Sequence, residues 1–99
     1  YAVVIVESVT GEYDYRLDLY SKEGNHIFSK EFSYDYEHVD IDGDNIFLYN
    51  EDSCRIYNRF GNLKYEGTFD FPISGMGNGG FPNQFIAVGP QVIKEIKLH

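Results

Sequence analysis

Residues Leu19–Phe32 read LYSKEGNHIFSKEF, and residues Ile56–Phe69 read IYNRFGNLKYEGTF. Laid over one another at a spacing of 37 residues, Tyr20 falls on Tyr57, Gly24 on Gly61, Asn25 on Asn62 and Phe32 on Phe69. Leu19 with Ile56, Lys22 with Arg59 and Phe28 with Tyr65 fill in between. An internal repeat of about 40 residues is the mark of solenoids and propellers, and it decides the fold before any single motif does. In each copy Gly-Asn interrupts two runs of alternating apolar residues, a dipeptide that supplies the positive backbone angles of a tight two-residue hairpin turn. In the first arm Tyr15, Leu17 and Leu19 alternate with Arg16, Asp18 and Tyr20, so one face is buried and the other wet. Cys54 and Ile56 hold the equivalent inward positions of the second copy.

Outside the hairpins, short apolar runs precede each unit: AVVIV at 2–6, IFLY at 46–49 and FIAV at 85–88, the last followed by a further arm at Val92–Leu98. A fourth strand is predicted at Glu37–Asp42, where Val39 and Ile41 alternate with Asp40 and Asp42. In the second copy the corresponding stretch, 72–83, carries Pro72, Pro82 and the glycine-rich run Gly75–Gly80, which predicts a broken or looped strand. No apolar period of 3.6 residues is sustained anywhere, so no helix is expected. The expected fold is all-β: antiparallel β-propeller-like blades, about two and a half four-stranded units in a single domain. The units are a partial one at 1–13, full ones at 14–50 and 51–89, and a partial one at 90–99. A closed propeller takes about four to eight blades. The chain, which begins at Tyr1 instead of Met, is therefore read as a fragment of a larger propeller, expected to self-associate through exposed strand edges or the blade face.

Composition narrows the partners. Sixteen acidic against eight basic side chains give a formal charge of -8, which repels phosphate backbones and anionic head groups, so nucleic acid is not an expected partner. Between Glu31 and Cys54 there is no Lys or Arg, while Asp35, Glu37, Asp40, Asp42, Asp44, Glu51 and Asp52 all fall there. One cysteine, Cys54, rules out an internal disulfide. No apolar run approaches the roughly 18 residues of a membrane span, so direct membrane contact is not expected of this segment.

At Cys54-Arg55-Ile56-Tyr57, the turn centred on Gly61, Phe69-Asp70 and the closing Ile93–Leu98, the chain resembles an uncharacterised family of membrane-anchored, β-propeller-like repeat proteins from Gram-positive anaerobic bacteria. The resemblance covers about the last half of the chain. It implies an extracytoplasmic location, with anchoring through a segment outside these residues, and implies no activity.

Several motifs touch on chemistry. Asp40, Asp42, Asp44 and Glu51 stand at the first, third, fifth and twelfth positions of a calcium loop, which makes Asp40, Asp42 and Asp44 the candidate metal ligands. The flanking alternation reads as strand, not helix, and a strand through Ile46–Tyr49 carries Glu51 away at roughly 3.3 Å per residue. An acidic turn joining two strands is the competing reading. Gly75-Met76-Gly77-Asn78-Gly79-Gly80 has the glycine spacing of a dinucleotide loop but is followed by Phe81-Pro82 in place of a helix, so no cofactor is expected. His26, His38 and His99 are scattered, and no nucleophile turn is present. Tyr34, Tyr36 and Phe81, from a cluster that also holds Phe69, Phe71 and Phe85, are the candidate surface for a ligand or partner, against the alternative of packing between blades. The expected function is a non-enzymatic interaction or scaffold module that binds a protein or a surface polymer. The alternative is a carbohydrate-binding or calcium-dependent domain using the acidic turn at 40–51.

Overall fold

The structure, a computed structural model, describes residues 1–98; His99 lies outside the described residues. These residues form ten β-strands and no helix: β1 Ala2–Glu7, β2 Tyr15–Tyr20, β3 His26–Phe32, β4 His38–Asp42, β5 Asn45–Tyr49, β6 Ser53–Asn58, β7 Leu63–Thr68, β8 Gly75–Asn78, β9 Gln84–Val88 and β10 Ile93–Lys97. Every pairing is antiparallel and joins neighbours in the chain. The strands divide into a first sheet, β1-β2-β3, a middle sheet, β4-β5-β6-β7, and a third, β8-β9-β10. The all-β antiparallel architecture expected from the repeat is thus present, as consecutive meanders that do not close into a barrel. The sheet boundaries fall half a unit from the sequence repeat, because residues 14–50 take in the β2–β3 hairpin of one sheet and the β4–β5 hairpin of the next.

Two cores hold the sheets together, and the middle sheet belongs to both. Leu17, Leu19 and Phe32 of the first sheet pack with Ile46, Leu48 and Tyr57 of the middle one. On the other side of the same strands, Phe47, Tyr49, Cys54 and Ile56 pack with Phe85, Ala87 and Ile96 of the third sheet, Phe47 and Phe85 meeting edge to face with ring centres 5.8 Å apart. Successive side chains of a strand point to opposite faces, so β5 must be apolar at every position to serve two cores. Ile46, Phe47, Leu48 and Tyr49 are all buried.

The hairpin turns differ from the expected two-residue form. Only glycine takes the positive angle: Gly24 lies at φ 89° and Gly61 at φ 85°, while Asn25 and Asn62 do not enter that region. The loops are three residues long, Lys22–Gly24 and Arg59–Gly61, closed by Gly24 N–H on the Ser21 carbonyl (2.9 Å) and Gly61 N–H on the Asn58 carbonyl (3.0 Å). The residue opening each loop supplies a side-chain acceptor: Ser21 Oγ takes the Asn25 N–H at 3.2 Å, and Asn58 Oδ1 the Asn62 N–H at 3.0 Å. Both hairpins also slip register between the same repeat positions, Leu19/Tyr20 and Ile56/Tyr57.

The glycine-rich stretch is likewise corrected. Gly75–Asn78 is a regular strand, β8, paired with β9 from Gly75↔Val88 to Asn78↔Phe85. Its missing side chains permit close approach, since a Cβ on Gly77 would stand 3.2 Å from Asp42 Oδ2. Pairing with β9 and the fit against Asp42 offset the low strand propensity of glycine.

Phe47→Ala, at the centre of the second core, is expected to lower unfolding free energy by about 3–5 kcal/mol in urea titration. Alanine at Gly24 or Gly61 should each lose about 1–2 kcal/mol to the left-handed backbone. Gly61→Ala should lose more, because its Cβ would press on the Phe28 ring at 3.3 Å.

Candidate binding surfaces

The acidic turn is a two-residue hairpin. Asp42 pairs with Asn45 across Gly43-Asp44, and Gly43 takes φ 59°. The three aspartates point to three different partners. Asp40 Oδ2 accepts the Tyr49 hydroxyl at 2.6 Å, Asp42 Oδ2 accepts the Asn78 backbone N–H at 2.9 Å, and Asp44 lies 4.0 Å from the Arg59 guanidinium. Asn78 completes the junction: its Nδ2 donates to the Asp42 carbonyl at 2.9 Å and its Oδ1 accepts Asn45 Nδ2 at 2.8 Å. The turn therefore ties the middle sheet to β8. Among the described residues no three His, Cys, Asp or Glu side chains gather as a group able to hold a metal ion. The structure does not bring Asp40, Asp42 and Asp44 together as the loop spacing suggested. Strand β5 follows the turn directly and runs Glu51 off beyond its far end.

The aromatic candidates also separate. Tyr34 and Tyr36, between β3 and β4, pack against the core shared by the first and middle sheets. The Tyr34 hydroxyl bonds Ser53 Oγ at 2.7 Å beneath Arg55, whose guanidinium lies 5.0 Å from the ring centre; Tyr36 meets Tyr15 edge to face at 5.1 Å. Burial pushes both phenols above their ordinary range. The packing alternative describes these two. Phe81 is 75% exposed in the β8–β9 turn, whereas Tyr34 and Tyr36 are half-buried.

Two clefts border these elements. One, of about 260 Å³, is lined by Asn45, Asn78, Phe81, Asn83 and Gln84 with the glycines between, and carries no charged side chain. Gln84 is buried there, and Asn83, at φ 58°, shapes the turn while its Oδ1 accepts Lys64 Nζ at 3.0 Å. The other, of about 360 Å³, sits where the β5–β6 and β7–β8 connections meet, with Glu51, Asp52 and Asp70 around Phe69, Phe71 and Pro72. Backbone bonds from Phe69 N–H to the Asp52 carbonyl and from Ile73 N–H to the Glu51 carbonyl, both 2.8 Å, hold its walls.

Alternation alone missed one polar cluster. Asp18 lies on the outward face of β2 yet is 5% exposed, held by Ser29 Oγ–H across the ladder and by Arg16 at 3.1 Å. The Ser29 bond leads the causes that lower its pKa from the ordinary 3.8. The signal was Ser29 standing directly opposite Asp18, which appears only once the register is known. His26 bonds Ser29 at 2.9 Å beside this cluster, and His38 stacks on Tyr49 at 5.2 Å, so neither joins a ligand set. Cys54 is fully buried, and burial raises its thiol to about 11.

A family model matches residues 1–98, nearly the whole chain. The chain belongs to the family of unknown function DUF5711. Comparison with curated proteins and with solved structures gives no match. Membership in DUF5711 agrees with the resemblance read from Cys54–Tyr57 and the closing strand in one respect, that the family is uncharacterised.

For this DUF5711 chain the buried thiol and phenol set an alkaline limit. Burial raises Cys54 from its ordinary 9.0 to about 11 and Tyr49 from 10.0 to about 12, the Asp40 bond adding to the second shift. Each group folds neutral. The unfolded chain loses these protons first, so stability is intact below pH 9.0 and falls as pH rises towards about 12. Urea midpoints measured from neutral to alkaline pH should show that fall, and Cys54→Ala with Tyr49→Phe should reduce it, leaving the part contributed by the raised phenols of Tyr34 and Tyr36. Asn78→Ala, which removes both side-chain bonds across the sheet junction, is expected to lower stability by about 2 kcal/mol at neutral pH.

Proposed function

We propose that this chain is a non-enzymatic scaffold and interaction module: a run of propeller-like sheets, from an extracytoplasmic and membrane-anchored protein, that meets protein partners through its sheet faces. One observation carries the reading. Strand β5 of the middle sheet is apolar and buried on both faces, and the outer sheets keep apolar residues on the faces turned away from it, where Val4 is 45%, Val6 39% and Ile93 68% exposed. The propeller and location parts rest on the repeat spacing and on the family resemblance. The charge of -8 supports a protein or neutral polymer over nucleic acid.

A second reading has its own support. The uncharged cleft beside Phe81 offers an aromatic platform and the amides of Asn45, Asn83 and Gln84, the usual equipment for a neutral hydroxyl-rich ligand such as a glycan. Titration with a panel of oligosaccharides, followed by Phe81→Ala, tests it.

For the main reading, Val4→Thr and Ile93→Thr are expected to leave the melting temperature of the dilute chain unchanged in circular dichroism, whereas Leu48→Thr, inside the stack, should lower it sharply. Unfolding of the two surface variants would show that these residues serve the chain's own fold, and the reading would fall.

A further inference from the structure

The seam between the first and middle sheets is apolar in its depth and changes character at its mouth. Lys30 on β3 stands opposite Leu17, and Arg55 on β6 opposite Leu48, so both cationic side chains share the faces that form the core between these sheets. They line one cleft of about 350 Å³, walled by Tyr13, Phe32, Tyr57 and Leu63. Lys30 Nζ lies 5.7 Å from the Tyr57 ring centre, and the Arg55 guanidinium 5.0 Å from that of Tyr34. Every wall comes from elements between Tyr13 and Glu66, so the cleft is built within one stretch of chain.

The guanidinium there is underused. Arginine carries five N–H donors in a fixed fork, yet among the described residues Arg55 makes one side-chain hydrogen bond, from Nη1 to the Tyr57 hydroxyl at 3.5 Å. Its Nε is buried without a hydrogen-bond partner, the Glu66 carboxylate standing 3.6 Å away on a side chain that is 55% exposed. Lys30 has no ion pair among the described residues. Glu31 also borders the cleft, but its carboxylate accepts the Thr10 hydroxyl at 2.7 Å. A chain of charge -8 thus sets two cations against Glu66 at this one place. The seam itself does not demand them. One repeat on, Phe32-Ser33 becomes Phe69-Asp70, and the cleft around Phe69 is lined by Glu51, Asp52 and Asp70 with no basic side chain. A buried donor left unpaired costs free energy, and an acceptor brought into the cleft would recover it.

We propose that the cleft holding Lys30 and Arg55 is a binding site for a small organic monocarboxylate. The ligand carboxylate takes the Arg55 fork in a paired, two-bond arrangement while the exposed Glu66 side chain swings aside from Nε. Lys30 adds a second positive charge, and the body of the ligand lies against Tyr13 and Leu63, each 46% exposed. Charge sets the class. Two cations beside Glu66 leave one positive unit, which a single carboxylate balances, whereas the second charge of a phosphate would be repelled by Glu66. The volume suits a body about the size of one aromatic or sugar ring. The site is separate from the sheet faces of the scaffold reading and from the cleft at Phe81, so its failure would leave both readings standing.

Titration of the 99-residue chain at constant ionic strength, with benzoate, glucuronate and inorganic phosphate as separate probes, reads the site through the Arg55 Nε–H resonance in NMR spectra. A saturable shift is expected with benzoate, glucuronate or both, the pattern telling an aromatic from a sugar acid, and phosphate should bind more weakly than the better of the two. Arg55→Lys keeps the charge but loses the fork, and should weaken that acid by about tenfold. Lys30→Gln should weaken it by about fivefold. Glu66→Gln removes the competing carboxylate and should tighten binding by about threefold, an effect that a purely structural ion pair would not give. Asp70→Ser, in the acidic counterpart cleft, should leave binding as it is. No saturable shift with either acid, phosphate binding as tightly as they do, the Arg55, Lys30 and Glu66 variants all binding like wild type, or loss of binding in Asp70→Ser each overturns the proposal. Should Arg55→Lys lose its strand signal in circular dichroism, the opposite responses of Lys30→Gln and Glu66→Gln decide it.

Discussion

The structure depends on one strand being apolar on both sides. In most antiparallel sheets one face meets the core and the other meets water, so apolar residues come every second position. β5 breaks that rule with Ile46, Phe47, Leu48 and Tyr49 in sequence, all buried. Each face anchors a neighbouring sheet, and without either anchorage three- and four-stranded meanders of this size would have little core of their own. The order of sheets follows from the connections: with every strand paired to its chain neighbour, the sheets are laid down one after another, and among the described residues the middle one packs against a sheet on each side.

Polar residues at the seams fix the register that apolar faces leave loose. Apolar surfaces are non-directional and would tolerate sliding, whereas Asp42, Asn45 and Asn78 form bonds that exist in one alignment of the middle and third sheets. Glycine makes this alignment possible, since side chains at Gly43 and Gly77 would crowd Asn78 and Asp42 at 3.2 Å. The acidic spacing that resembles a metal loop and the glycine spacing that resembles a nucleotide loop are thus two halves of one structural clamp. Each looked like ligand chemistry when taken alone because its partner lies 36 residues away in the chain.

How far the sequence could be read follows the range of the interactions involved. Strand alternation is local, so β2, β4, β5, β9 and the terminal β10 were legible close to their ends. Turn geometry was legible in kind only: glycine at Gly24 and Gly61 marked the hairpins, but the loop length depends on hydrogen bonds to Ser21 and Asn58, which a Gly-Asn dipeptide does not reveal. β8 was expected only as a broken or looped strand within 72–83, because its regularity comes from β9 and Asp42 and not from its own residues. Tyr34 and Tyr36 could not be told from a binding platform because burial is a property of the neighbouring sheet. Asp18 was assigned to a wet face for the same reason, its shelter coming from Ser29 on the adjacent strand.

The apolar outer faces and the acidic charge of the chain are in tension, and their distribution resolves it. Charge concentrated on the sheet ends and edges keeps copies apart sideways and resists the edge pairing that leads to amyloid-like growth. On the outward faces of the first and third sheets the charges come in opposite pairs: Arg16 lies 3.1 Å from Asp18, which Ser29 also holds by a hydrogen bond, and Lys97 lies 4.0 Å from Glu95. Val4 stands at the repeat counterpart of Leu48, whose side chain the middle sheet buries against the first, so the apolar character of that position recurs from one sheet to the next.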